Sequence, residues 1–181
     1  ICRNHGIKVG LNMSVSQINI DDLPFIISFL RDNPVESFTL FPVIPPVYDR
    51  TNISHSNDAK NLKLVAETLL KIHNEFGITV GSIRPLPRCV IGTDAKYDII
   101  RGNRCTTGCE RFAIDLCSGE IEACSQENKK YGNIYHDSIE NCFDRMNEWQ
   151  NGAFLANVCQ HCEYLKKCGG MCLWSEPCGR C

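Results

Sequence analysis

The sequence predicts an α/β protein followed by a small, cysteine-rich α+β region. Three observations carry this prediction. Short β-prone runs alternate with two amphipathic helical stretches as far as residue 83. A chain of 181 residues is long enough to bury a core of its own. Of its 13 cysteines, 11 lie between Cys105 and Cys181, so the second half is organised by thiol chemistry.

The first strand is expected over Lys8 to Val15, after Gly6. Asn19 is placed to cap the next helix, with Asp22 at the capping-box position. Ile20, Leu23, Ile26, Ile27 and Leu30 recur at helical spacing, and Asp32-Asn33-Pro34 stops the run. Glu36 to Phe41 reads as the second strand, closed by Pro42, Pro45 and Pro46. Val47 to Asn57 is a polar loop, and Asn57 can cap a helix over Asp58 to Phe76. There Leu62, Val65, Ala66, Leu69, Ile72 and Phe76 form the apolar stripe, and Gly77 is the C′ residue. Ile78 to Ile83 is the third strand. Strands joined through helices of this length pair in parallel. Three strands are too few for a complete barrel or a doubly wound domain, so residues 1–83 read as part of an α/β unit with a sheet edge to be covered.

Residues 84–104 form a connector containing Pro85 and Pro87. In the region 105–181, Phe112, Ile114 and Leu116 alternate, Ser118-Gly119 turns the chain, and Ile121 to Cys124 returns, which predicts a β-hairpin. Gln126 to Lys130 is polar. Asp137 is expected to cap a helix with Glu140 at its capping-box position. Ile139, Cys142, Phe143, Met146 and Trp149 are its buried stripe, and Asn151-Gly152 interrupts it. This region has no long apolar element pair, so its core is marginal without cross-links or metal.

The formal charge of −2 and the pI near 6.2 argue against electrostatic nucleic-acid binding. The pairs Lys129-Lys130 and Lys166-Lys167 are too short to change this. No run of 18 apolar residues suggests a membrane span. The opening Ile-Cys-Arg-Asn-His is neither an initiator methionine nor a signal peptide. The odd cysteine count and the ordinary α/β pattern of the first half favour a reducing, cytoplasmic setting over a secreted disulfide scaffold.

The densest block, Cys159 to Cys172, reads C-Q-H-C-E-Y-L-K-K-C-G-G-M-C. Thiolates at this density hold a soft metal or an iron–sulfur cluster. The candidate donors are Cys105, Cys109, Cys124, Cys159, Cys162, Cys168, Cys172, Cys178 and Cys181, of which eight would serve two four-sulfur centres. Spacing alone admits zinc as well as iron–sulfur. Outside this set, Cys142 reads as core, Cys117 as a turn or core residue, and Cys89, in P-L-P-R-C, as structural or near a substrate cavity. His161, between two candidate donors, reads as solvent-facing or supporting a ligand, and in a zinc site could replace one, while Tyr48, Asp49 and Arg50 are candidate substrate contacts in the loop after the second strand.

The order Cys105-x3-Cys109, Gly119-x4-Cys124, Cys159-x2-Cys162-x5-Cys168-x3-Cys172 and a terminal cysteine resembles the SPASM domain of radical S-adenosylmethionine enzymes. Gly132-Asn133-Ile134, before the helix near Asp137, fits the same likeness. The stretch from Gly6 through Asn12 and Val15 to Asn19 and Leu23 resembles the late strands of that family's partial barrel.

The resemblance implies that residues 1–83 are the C-terminal part of a radical SAM partial (β/α)6 barrel, and that 105–181 are a small α+β domain holding two auxiliary [4Fe-4S] clusters. One cluster would use Cys105, Cys109, Cys124 and Cys172. The other would use Cys159, Cys162, Cys168 and Cys181, with Cys178 as the alternative. Asn12 would face S-adenosylmethionine.

The family's radical-generating cluster sits on a C-x3-C-x2-C loop, and this sequence has no such motif. That third cluster and most of the S-adenosylmethionine site would belong to a missing N-terminal part, so the chain reads as a fragment that is not catalytic alone. In the parent, a reduced cluster would cleave S-adenosylmethionine, and the resulting radical would take a hydrogen from a peptide or protein substrate. The auxiliary clusters would pass electrons or place the substrate, with a flavodoxin or ferredoxin as donor. The competing class is a non-enzymatic zinc-binding structural or interaction module.

Overall fold

The computed structural model describes residues 2–43, 58–102, 104–170 and 172. The first sheet contains β1 (Gly10–Val15), β2 (Ser37–Pro42) and β3 (Thr79–Ser82), in the order β1-β2-β3 with both pairings parallel. The intervening helices are α1 (Leu23–Asp32) and α2 (Ala59–Phe76). The strand–helix alternation and the parallel pairing expected from the sequence are therefore present. The molecule is mixed α/β with two small sheets.

Side-chain alternation gives the first sheet two different faces. Leu11, Met13 and Val15 share a face with their register partners Phe38 and Leu40 and with Val80. This face is covered by the helices, and Val65, Leu69 and Ile72 of α2 are fully buried against it. The opposite face carries Asn12, Ser14, Thr39 and Phe41, with Asn12 directly across from Thr39. Asn12 is exposed. Among the described residues no strand pairs with the far side of β1, whereas β3 is partly bordered by Arg101, which bridges to Gly81.

Residues 84–104 are more than a connection. They contain α3 (Arg88–Ile91) and a 3-10 turn (Ala95–Ile99), and Leu86, Ile91, Tyr97 and Ile100 are buried in the same core as α2. Arg88 is 2% exposed and donates to the carbonyls of Gly92 (3.4 Å) and Asp94 (2.9 Å) while pairing with Asp98. A guanidinium this buried is tolerated because most of its donors are satisfied.

The second sheet is antiparallel, with β4 (Ala113–Ile114), β5 (Glu120–Glu122) and β6 (Lys130–Asn133) in sequence order. The expected hairpin is β4–β5. The third strand was not legible, because K-Y-G-N has no apolar alternation and contains a glycine. The expected single helix after residue 137 is split into α4 (Ile139–Asp144) and α5 (Asn147–Gln150). Cys142 and Met146 are buried with Ile121, Ala123 and Tyr131, with Phe143 and Trp149 packed against them. Ile139, placed in the buried stripe by its spacing, is 47% exposed. Two four-residue helices follow, α6 (Asn157–Gln160) and α7 (Leu165–Cys168).

Three expected caps are corrected. The Asn19 side chain accepts from Ser16 N–H and donates to the Ser14 carbonyl (both 2.9 Å), bracing the chain after β1 instead of capping α1. Asp58, and not Asn57, caps α2 by accepting from Asn61 N–H at 2.8 Å. Asn57 itself lies outside the described residues. Ser138 caps α4 through Asn141 N–H at 3.2 Å, because Asp137 is engaged by Asn133 N–H (3.0 Å) and Arg145 (2.8 Å). Gly77 ends α2 at φ +66°, as expected.

Candidate metal centre

The cysteines of the second region meet the first at the C-terminal end of β2 and β3, the end at which parallel sheets hold ligands. Phe41, near the end of β2, lies under the Arg84 guanidinium, 4.9 Å from its ring centre. Arg84 Nη1 donates to Cys172 Sγ at 3.7 Å. A cavity of about 270 Å³ at this junction is lined by Phe41, Arg84, Thr107, Arg111 and Cys124. Cys124 thus lines a cavity with the arginine that Cys172 contacts.

Cys105 and Cys109 line an adjacent cavity of about 280 Å³ that shares buried Thr107. The loop carrying them turns at Gly108, whose N–H donates to the Arg111 carbonyl at 2.8 Å. Cys109 Sγ donates to the Trp149 carbonyl at 3.7 Å, so α5 fixes this wall. The turn at Gly169 is pressed onto Cys105. Gly169 sits at φ +63°, and a Cβ there would stand 2.6 Å from Arg104 Cγ and 3.3 Å from both N and O of Cys105. Glycine is required here on two counts, for its backbone angle and for this close approach. The structure therefore places Cys105 and Cys109 in one cavity and Cys124 in its neighbour. Cys172 contacts Arg84, which lines the Cys124 cavity.

Cys159, Cys162 and Cys168 come together in a second place. They line a cavity of about 100 Å³ whose other walls include Pro87, Cys89 and Leu165. Cys159 is on α6, Cys162 follows it, and Cys168 ends α7. Cys89, on α3, was not among the sequence-predicted donors. No spacing rule could find it, because it lies far upstream and its place is fixed by the packing of α3. Cys89 is disulfide-bonded.

Burial opposes ionisation of one thiol in each place. Desolvation pushes the Cys159 thiol above its ordinary range, and the neighbouring Cys168 and Cys162 push it further. Desolvation likewise raises Cys109, with Cys105 and Glu110 adding to the effect and Arg104 opposing it. Crowded thiolates of this kind are stabilised when a soft cation is shared between them. The donor set is entirely sulfur, which suits iron–sulfur or zinc and not a hard cation. Among the described residues, no three His, Cys, Asp or Glu side chains meet at metal-ligating distance. The cysteines share cavities and loops, and ligation would draw them inward.

Outside the two sets, Cys2, Cys117 and His161 are exposed and Cys142 is buried in the second core, as its helical stripe predicts. Cys117 is in the turn after β4, where its N–H donates to Asp115 at 2.8 Å. Cys178, Cys181, Tyr48, Asp49 and Arg50 lie outside the described residues. No helix of the described residues is long and apolar enough to cross a membrane. Comparison with protein-family models, with curated proteins and with solved structures finds no match to this chain.

Proposed function

We propose that this chain is the auxiliary-cluster portion of a radical S-adenosylmethionine enzyme that modifies peptides or proteins. One [4Fe-4S] cluster is assigned to Cys105, Cys109, Cys124 and Cys172. A second is assigned to Cys159, Cys162, Cys168 and one further cysteine. When bound, such clusters supply one-electron transfer.

The observation that carries this reading is the junction at Arg84. One arginine contacts a ring on the bare face of a parallel sheet and the sulfur of an assigned ligand. A substrate lying on that face, near Asn12 and Thr39, would be within reach of the first sulfur set. The small polar side chains of this face also suit the inner wall of a partial barrel, and Asn12 is assigned to the S-adenosylmethionine side. The chain's own residues do the positioning. Arg84 gives Cys172 Sγ an N–H donor, Thr107 lines both cavities, and Gly169 allows the turn after Cys168 to approach Cys105. Radical initiation would need a C-x3-C-x2-C segment supplied outside residues 1–181, and a flavodoxin- or ferredoxin-type protein is the proposed electron donor.

The deciding measurement is iron, acid-labile sulfide and zinc per chain after anaerobic purification. The proposal expects about eight irons and eight sulfides, with broad absorbance near 400 nm. One or two zinc ions without sulfide would replace it with a zinc-binding module that uses the same cysteines structurally.

A further inference from the structure

We propose that Cys89 is the fourth sulfur donor of the site formed by Cys159, Cys162 and Cys168. The proposal rests on the cluster reading above and specifies the ligand that reading leaves open, in place of Cys181 or Cys178. Four cysteines line one cavity of about 100 Å³, and they come from two distant parts of the chain. A set of three sulfurs leaves a tetrahedral centre one donor short, and Cys89 is the fourth cysteine lining this cavity.

A second, independent observation explains how Cys89 is held there. Its neighbour Arg88 is buried and pairs with Asp98. The other oxygen of Asp98 accepts from Lys167 Nζ at 2.7 Å, and Lys167 directly precedes Cys168. One carboxylate therefore fastens the residue before Cys89 to the residue before Cys168. That arrangement ties α3 to α7, and both cysteines line the same cavity. Pro87, which begins α3 at φ −60°, limits the freedom of the segment further.

Cys89 is held in a disulfide, so ligation requires a reductant. A dithiol suffices. It attacks the disulfide by thiol exchange, passes two electrons and two protons to it, and leaves as its own cyclic disulfide. The released Cys89 thiol then loses its proton to water as its sulfur binds iron. Loading of this site is thereby tied to the thiol state of the surroundings.

The test uses the full chain, reduced anaerobically with dithiothreitol and loaded with ferrous iron and sulfide. Cys89→Ser should lower iron from about eight to about four per chain, while Cys178→Ser and Cys181→Ser should keep about eight. Retention of full iron by Cys89→Ser would overturn the proposal.

A second readout needs no variant. In the loaded wild-type chain, iodoacetamide should alkylate Cys89 about tenfold more slowly than in the reduced, chelator-stripped chain, while exposed Cys117 reacts alike in both. Cys89 reacting as fast as Cys117 in the loaded chain would equally overturn it, and this readout decides if Cys89→Ser does not fold. A wild-type chain that takes up neither iron nor sulfide would remove the cluster reading as well. A loaded chain with a reactive Cys89 would remove only the ligand assignment.

Discussion

Gly169 and Gly77 have nearly the same backbone angle, φ +63° and φ +66°, but different surroundings. A Cβ at Gly77 meets nothing within 4 Å, whereas one at Gly169 meets Arg104 and the Cys105 backbone. Gly77→Ala should cost only the left-handed penalty of roughly 1–2 kcal/mol. Gly169→Ala should cost that penalty and also lift the last cysteines off Cys105, so its iron content falls with its stability. Urea midpoints and iron analysis on the two variants check the contrast, and equal behaviour would remove the structural role given to Gly169. The residue scale also shows where sequence reading stopped. Cys159, Cys162 and Cys168 were legible because they are neighbours in the chain. Cys89 was not, since its relevance depends on Arg88 being buried and on Asp98 accepting from two cations. Arg84 was missed for the same reason, because its partners Phe41 and Cys172 are joined to it only by the tertiary fold.

At the scale of elements, the long amphipathic helix α2 and the parallel strands were legible to within a few residues, because their apolar periodicity is strong. The caps were not, because several polar side chains compete at each helix start and tertiary bonds decide the winner. Asp137 is withdrawn from the cap of α4 by Arg145, whose guanidinium beside it, together with the Asn133 N–H, holds its carboxyl below the usual range. Ser138 takes the cap instead. Ser138→Ala should therefore cost about 1 kcal/mol. Asp137→Asn should act differently, loosening the joint between β6 and α4 without touching the cap bond. Urea unfolding separates the two, and a Ser138→Ala variant as stable as wild type would argue against the assigned cap. The break between α4 and α5 was also illegible. The apolar stripe runs through it without a gap, and only the exposure of Ile139 shows that the two pieces diverge.

For the molecule as a whole, the raised thiols of Cys109 and Cys159, taken with the proposed clusters, predict opposite responses to pH for metal-stripped and loaded chains. In the stripped chain, a folded-state pKa above the unfolded value contributes stability below the ordinary thiol range, about 8.5. That contribution is lost as pH rises through the folded value, because the unfolded chain ionises first. Raising the pH from about 7 to about 9.5 should lower the urea midpoint of the stripped chain. The loaded chain holds its ligands as thiolates, so it should be resistant there and should instead lose metal as the pH falls. Parallel urea titrations of the two forms test this, and a stripped chain that gains stability with pH would contradict it. The two cores predict where the change is felt. The first is built on long apolar elements, whereas the second is a handful of side chains around Ile121 and Met146 and depends more on its sulfur.

The far side of β1 gives the chain a property unrelated to metals. Its outward amides and carbonyls form a straight, six-residue template beside a sheet already in parallel register. Arg101 covers part of the corresponding border at β3, whereas at β1 no strand among the described residues does so and Asn19 engages the Ser14 carbonyl. Such a border recruits strands from whatever chain comes near. Concentrated solutions of residues 1–181 should thus form edge-to-edge oligomers even with every thiol blocked. Charge placed on this border, for example by Ser14→Lys, is the means to keep the chain monomeric while its sulfur chemistry is measured.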